Sequence, residues 1–226
     1  MKKQSVALGE LTNYVNLERL TFLVDGVFAI TITLLVLELR LSESNSTSLA
    51  ENLLAMLPRL YIYFIAFYSI ANHWVVHQRM FRHITSADTT MLWLTILGLL
   101  FITLIPAATA IVGRYPNEKL AVACFSINSA LQALTSSMFW SYVAKRQKDF
   151  ATQSDPRMLT ITSQVWLIIS IGWFISIFLG YVNVYIAYAS WVLLPNLVAV
   201  WGNNRRRTLQ KTDVDKSSQY DKKRKR

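Results

Sequence analysis

Long apolar runs alternate with short polar blocks along this chain. Six runs reach the roughly 18–20 residues needed to cross a hydrocarbon core, at about 21–41, 53–76, 90–113, 119–143, 158–180 and 182–202. Hydrophobic residues make up 53% of the 226, and the charge collects between the runs. The pattern predicts an all-α polytopic membrane protein with six transmembrane helices and leaves no room for a soluble catalytic domain. Six crossings return the chain to its starting side.

Lys and Arg select that side. Lys2 and Lys3 precede the first run, Arg79 and Arg82 follow the second, and Lys145, Arg146, Lys148 and Arg157 lie between the fourth and fifth. The opposite loops hold little beyond Arg40, Arg59, Arg114 and Lys119, so the positive-inside rule predicts cytoplasmic N and C termini. The net charge of +10 belongs mainly to RRRTLQKTDVDKSSQYDKKRKR at 205–226. Two domains follow: a transmembrane unit over 1–203 and a basic tail over 204–226 whose composition predicts disorder. The tail reads as a topology anchor or as a site for anionic lipid headgroups. Nothing beyond basicity points to nucleic acid.

Within the first run, Asp25 interrupts an apolar sequence too long for a cleavable signal peptide, so the run is read as mature structure. At 100° per residue Ile30, Leu34 and Leu37 form one narrow stripe with Thr33 beside it, and Asp25 falls on the opposite side. An acid at membrane depth needs a partner or a water-filled path. Arg19, six residues earlier and on another face, is badly placed for a pair within the helix. The second run ends IANHWVVHQRMF, where Trp74 and His77 share a face near Asp25 and offer donors suited to a carboxylate. The same two residues also read as an interfacial Trp and a surface His. The stripe itself faces lipid, a bundle core or a symmetry axis; periodicity leaves these open.

Pro106 predicts a kink in the third run. Ser126, Ser129, Gln132 and Ser136 predict a helix-packing face in the fourth, and the lone Cys124 reads as a small packing residue. Enzyme signatures are missing: there is no His-Glu-x-x-His, no Gly-x-Ser-x-Gly and no phosphate loop, and the His73/His77 pair lacks a third metal ligand. The chain therefore reads as a non-enzyme without cofactor or bound metal. It carries neither a Thr-Val-Gly-Tyr-Gly filter nor an internal repeat.

Arg19 and Asp25 followed by GVFAITITLLVLEL resemble the first-helix signature of the bacterial branch of the transmembrane protein 175 family, written Arg-x-x-x-Phe-Ser-Asp. The resemblance continues through WVVHQRMF at 74–81, similar to the family's Trp-x-x-His-His-Arg-x-Phe, then Asp88-x-x-Met-Leu-Trp-Leu and FITLIP at 101–106. Leu23 and Val24 replace the family's Phe and Ser, and Gln78 replaces its second His; the missing Ser hydroxyl thins the expected Arg19, Asp25, Trp74 and His77 hydrogen-bond network.

The resemblance implies a potassium-selective channel with potassium as permeant ion, a homotetramer in a bacterial-type cell membrane. The first helix of each subunit would line the central pore, with Ile30 as the aliphatic constriction and Leu34 and Leu37 as further rings. Such rings gate by dewetting. Thr33 would add hydroxyls beside them, and Asp25 would anchor the pore helix rather than touch the ion. On the wheel Arg19 falls near the stripe, so this arrangement requires its charge to be turned away or neutralised. Glu38 would enrich cations at the outer mouth or pair with Arg40 or Arg59. Two other readings stand beside the channel: a proton-coupled secondary transporter using Asp25 and His77, and a non-conducting membrane scaffold acting through its tail.

Overall fold

The computed structural model describes residues 14–39, 48–151 and 155–224. Lys2, Lys3 and Arg40, used above for topology and for the Glu38 pair, lie outside them. In chain order the elements are β1 (Tyr14–Val15), α1 (Leu17–Leu34) with a 3-10 turn (Leu35–Glu38), α2 (Leu49–Phe81), β2 (Ala87–Asp88), α3 (Thr89–Thr103), α4 (Ile105–Arg114), α5 (Lys119–Lys145), the short α6 (Gln147–Phe150), α7 (Pro156–Val182) and α8 (Val184–Arg224). Six helical stretches are long and apolar enough to cross a membrane: Leu17–Glu38, Leu49–Arg79, Thr89–Arg114, Lys119–Lys145, Pro156–Val182 and Val184–Leu209. These are the six expected spans, each longer than its apolar run because polar caps and flanks join the helix.

Several helix starts are fixed by side chains. Asn16 Oδ1 accepts from Arg19 N at 3.0 Å, Asp88 Oδ1 from Met91 N at 2.9 Å, and Asp155 Oδ1 from Arg157 N at 2.8 Å. Each satisfies an amide that the helix cannot. Span three breaks at Leu104, with Pro106 in the first turn of α4. Proline has no N–H to continue the ladder, and Asn128 Nδ2 of α5 donates at 3.0 Å to the carbonyl of Phe101 beside the break.

The largest helix–helix interface joins α5 to α7. Its polar residues bond across it: Ser126 and Ser176 hydroxyls lie 2.7 Å apart, Ser170 donates to the Ala130 carbonyl at 2.8 Å, and Ser137 donates to the Ser163 carbonyl at 2.9 Å. Small residues with hydroxyls allow close approach and supply bonds where lipid supplies none. Two glycines mark the tightest points. A Cβ on Gly180 would sit 2.8 Å from Val122 Cγ1, and one on Gly202 would sit 2.5 Å from Val165 Cγ2.

Beyond the membrane the last helix runs on to Arg224, so the backbone of residues 204–224 is helical where composition predicts disorder. Residues 203–224 contain neither Pro nor Gly. A helix already nucleated inside the bundle propagates through such a sequence at little cost.

Candidate functional site

Helix α1 presents two contrasting faces. Leu20, Val24, Phe28, Thr31 and Leu35 are buried against the bundle. Ile30, Leu34 and Leu37 are 60%, 44% and 53% exposed, and Thr33 is exposed beside them. The predicted stripe is therefore the uncovered side of the first helix. Leu37 belongs to the 3-10 turn, where residues three apart eclipse, so it stacks over Leu34 and stays on that side. Thr33 Oγ1 donates to the Ile30 carbonyl at 2.8 Å. Its proton is thereby committed to the helix, and the oxygen lone pairs remain for an external donor or cation.

Asp25 is partly buried at the edge of the bundle side, about 60° from Phe28 and about 140° from Ile30 on the wheel. Its Oδ1 accepts from Trp74 Nε1 at 2.9 Å and from Gln78 Nε2 at 2.6 Å. Trp74 and Gln78 are one helical turn apart on α2 and so reach the same oxygen together. The structure thus unites Asp25 with Trp74 and corrects the rest of the expected network. Gln78, which stands where the family has its second His, is the second donor.

His77 turns the other way. Its ring stacks on Phe81 at a centroid distance of 3.8 Å and lies 6.3 Å from Phe28, and its Nδ1 is buried with no hydrogen-bond partner among the described residues. At three residues from Trp74 it sits on the other side of that residue from Gln78, away from the carboxylate. Arg19 is exposed, on the Ile30 side, and makes no ion pair among the described residues. Val24, in the motif position of Ser, is fully buried and packs where a hydroxyl would need a partner.

One helical turn deeper, His73 stacks on Phe28 at 5.7 Å and meets Trp166 of α7 at 4.6 Å. Gln132 Nε2 lies 2.8 Å from its Nδ1. His73 and Gln132 therefore join spans two, four and five behind the first helix. Glu38 and Arg59 line one cavity at the far end of span one, where Arg59 Nε donates to the Gly113 carbonyl at 3.3 Å.

A second polar cluster escaped the sequence reading. Strand β1, immediately before α1, pairs antiparallel with β2, immediately before α3, with Tyr14 opposite Asp88 and Val15 opposite Ala87. Asp88 Oδ2 accepts from Tyr142 Oη at 2.6 Å and from Arg146 Nη1 at 3.1 Å, and Arg146 also bonds Asp149 at 2.9 Å. Ser86 and Thr85 donate to the carbonyls of Asp149 and Phe150. Hydrogen bonds to Tyr142 and Asp149 hold the Arg146 guanidinium above its ordinary pKa, so it stays charged. The only sequence signal was Asp88 within its motif, because the partners lie more than 50 residues away.

Among the described residues no group of three His, Cys, Asp or Glu is placed to hold a metal ion. Residues 19–106, which contain α1, Asp25 and its two donors, match the family model for the endosomal/lysosomal potassium channel TMEM175. A potassium channel of Streptomyces collinus is 27% identical over 175 residues, covering 75% of this chain and 85% of that one. An endosomal/lysosomal proton channel TMEM175 of Mus musculus is 34% identical over 115 residues, 46% of this chain and 23% of the mouse protein. The crystal structure of a lysosomal potassium-selective channel TMEM175 homolog from Chamaesiphon minutus superposes with a TM-score of 0.72 at 23% identity, covering 83% of this chain and 98% of that one. These relatives are ion channels and not enzymes. Residues 19–106 thus match the TMEM175 family model, and most of the chain shares the fold of a solved TMEM175 homolog.

Proposed function

We propose that this chain forms a potassium channel in the cell membrane, with four copies arranged so that the first helix of each faces a common axis. The observation that carries this reading is the division of α1 into a buried face, which holds Asp25 on Trp74 and Gln78, and an uncovered face carrying Ile30, Leu34, Leu37 and Thr33. In a fourfold arrangement Ile30 forms the narrowest ring, Leu34 and Leu37 extend it, and Thr33 turns oxygen lone pairs toward a passing cation. The names of the bacterial relatives support potassium as the ion. Arg19 is not turned away and has no ion pair within its own subunit among the described residues, so in this arrangement a group of a neighbouring subunit neutralises it at the inner mouth. The Lys and Arg distribution supports cytoplasmic termini, with the basic end of α8 close to anionic headgroups of the inner leaflet. A relay from Asp25 to His77, which a proton-coupled transporter would use, gains no support, since no hydrogen bond joins the two among the described residues.

The test is potassium against sodium flux from liposomes containing the purified protein and its Ile30→Asn variant. Wild type is expected to pass potassium preferentially, and Ile30→Asn, which wets the ring, to raise flux or lower selectivity. Unchanged flux in a folded Ile30→Asn tetramer refutes the pore assignment.

A further inference from the structure

A cavity of about 330 Å³ opens between spans two, five and six, with Gln132 of span four at its back. Its walls divide by chemistry. Phe64, Ile169, Trp173, Trp191 and Val192 form an apolar part, while Tyr68, Asn72, Gln132 and Asn196 form a polar part, and no Lys, Arg, Asp or Glu lines it. Tyr68 Oη donates to Asn196 Oδ1 at 2.9 Å across the mouth, and Asn196 Nδ2 donates to the Val192 carbonyl at 2.7 Å.

Two lining donors are left over. The Asn72 amide has no hydrogen-bond partner among the described residues, and neither has the indole N–H of Trp166, whose side chain is only 7% exposed. Asn72 lies seven residues before Arg79 on α2, about 10 Å in from the end of the span, and Trp166 lies ten residues into α7, about 15 Å in. At the depth of Trp166 bulk water is scarce, and a polar group left bare in hydrocarbon is strongly disfavoured, whereas Asn72 is exposed nearer the boundary.

The Trp166 N–H lacks an acceptor and the Asn72 amide offers both donors and an acceptor, so the missing partner brings an acceptor oxygen, which a bare cation does not have. The lining carries no charge, which excludes an anionic headgroup as the seated part. These walls, apolar in one part and uncharged but polar in the other, suit a chain-like molecule with a carbonyl near one end. Asn72 stands close to the depth at which the ester groups of a leaflet meet the hydrocarbon.

We propose that this cavity is a binding site for a glycerolipid of the surrounding bilayer. An ester carbonyl accepts from Asn72 and Trp166, and one acyl chain lies against Ile169, Trp173 and Val192. The lipid joins span two to spans five and six where the protein's own bond across the mouth is Tyr68 to Asn196. The proposal is independent of the pore reading, since none of these residues belongs to span one.

The test uses the full chain in nanodiscs of phosphatidylcholine carrying a photoactivatable group on one acyl chain, with labelled peptides identified by mass spectrometry. Labelling is expected to concentrate on residues 64–72, 166–173 and 191–196, several-fold above the openly lipid-facing Phe178. Val192→Trp, which fills the apolar part, is expected to lower it at least fivefold. Asn72→Leu keeps the shape but removes the donor, and is expected to speed exchange of the retained lipid about three- to tenfold, the worth of one hydrogen bond. Thermal unfolding of each variant distinguishes loss of the site from loss of the fold. Labelling no higher than at Phe178, labelling unchanged in folded Val192→Trp, or cross-linking of an Asn72→Cys variant to a second copy would overturn the proposal.

Discussion

Asp25 receives both its hydrogen bonds on one oxygen, and replacing it measures what holds the first helix in place. Asp25→Ala removes the acceptor of Trp74 and Gln78 together. Hydrogen bonds between helices of membrane proteins couple by about 0.6 kcal/mol on average and up to about 1.7. Two of them give an expected loss of about 1–3 kcal/mol for Asp25→Ala. Asp25→Asn keeps a carbonyl oxygen where Oδ1 stands, surrenders only the charge, and is expected to lose less than half as much.

The decisive comparison is a pair of double-mutant cycles. Asp25→Ala with Gln78→Leu is expected to show a coupling of about 0.6–1.7 kcal/mol. Asp25→Ala with His77→Leu is expected to show almost none, because the His77 ring packs on Phe81 instead. The assay is reversible unfolding in mixed micelles, followed by circular dichroism at fixed protein concentration so that oligomer formation enters each variant equally. A His77 coupling equal to or larger than that of Gln78 refutes the placement of α1 against α2.

Three further outcomes follow from other contacts. Asp88→Ala loses both the cap of α3 and the Tyr142 bond, and is expected to cost about 2–4 kcal/mol in the same unfolding assay. Gly202→Ala drives a Cβ to 2.5 Å from Val165 and is expected to destabilise by about 1–3 kcal/mol, whereas Gly98→Ala, whose nearest neighbour would be Thr135 Cγ2 at 3.7 Å, is expected to be tolerated. The hydrogen bonds from Arg157 hold the Asp155 carboxyl below the usual carboxylate range. Its contribution to the start of α7 is therefore complete above about pH 4 and fades as pH falls through the depressed value. An acid titration of hydrogen exchange at the first turn of α7 is expected to show this fading in wild type and not in Asp155→Asn.

That Ile30, Leu34 and Leu37 share one side of the first helix and Asp25 does not was legible from the sequence because they obey the helical period, whereas which side is buried was left open by periodicity. The break in span three was legible for a similar local reason, since Pro106 removes a donor wherever it stands. The partners of Asp25 were only half legible. Trp74, His77 and Gln78 all lie within one turn of α2, and choosing between His77 and Gln78 depends on the rotation of that helix about its axis. That rotation is set by packing of Phe28, Phe81 and Trp166, which no local pattern encodes. The Asp88, Tyr142 and Arg146 cluster was hidden by distance along the chain. The helical backbone of the tail was not legible from composition, which weighs charge against core formation and takes no account of a helix already running when the charged residues begin.

The small strand pair also imposes an order on the making of this protein. Tyr14 and Val15 lead directly into α1, yet their backbone partners, Ala87 and Asp88, are some 70 residues downstream. At about 5–20 residues per second, the first helix spends several seconds in the bilayer before its leading strand has anything to pair with. Asp88 in turn cannot complete its own bonds until Tyr142 and Arg146 have been synthesised. The entrance to α1 is therefore among the last parts of the first four spans to be fastened, although it is the first to be made. A ribosome stalled between spans three and four would leave that helix inserted, paired at its leading strand, and still missing its final clasp.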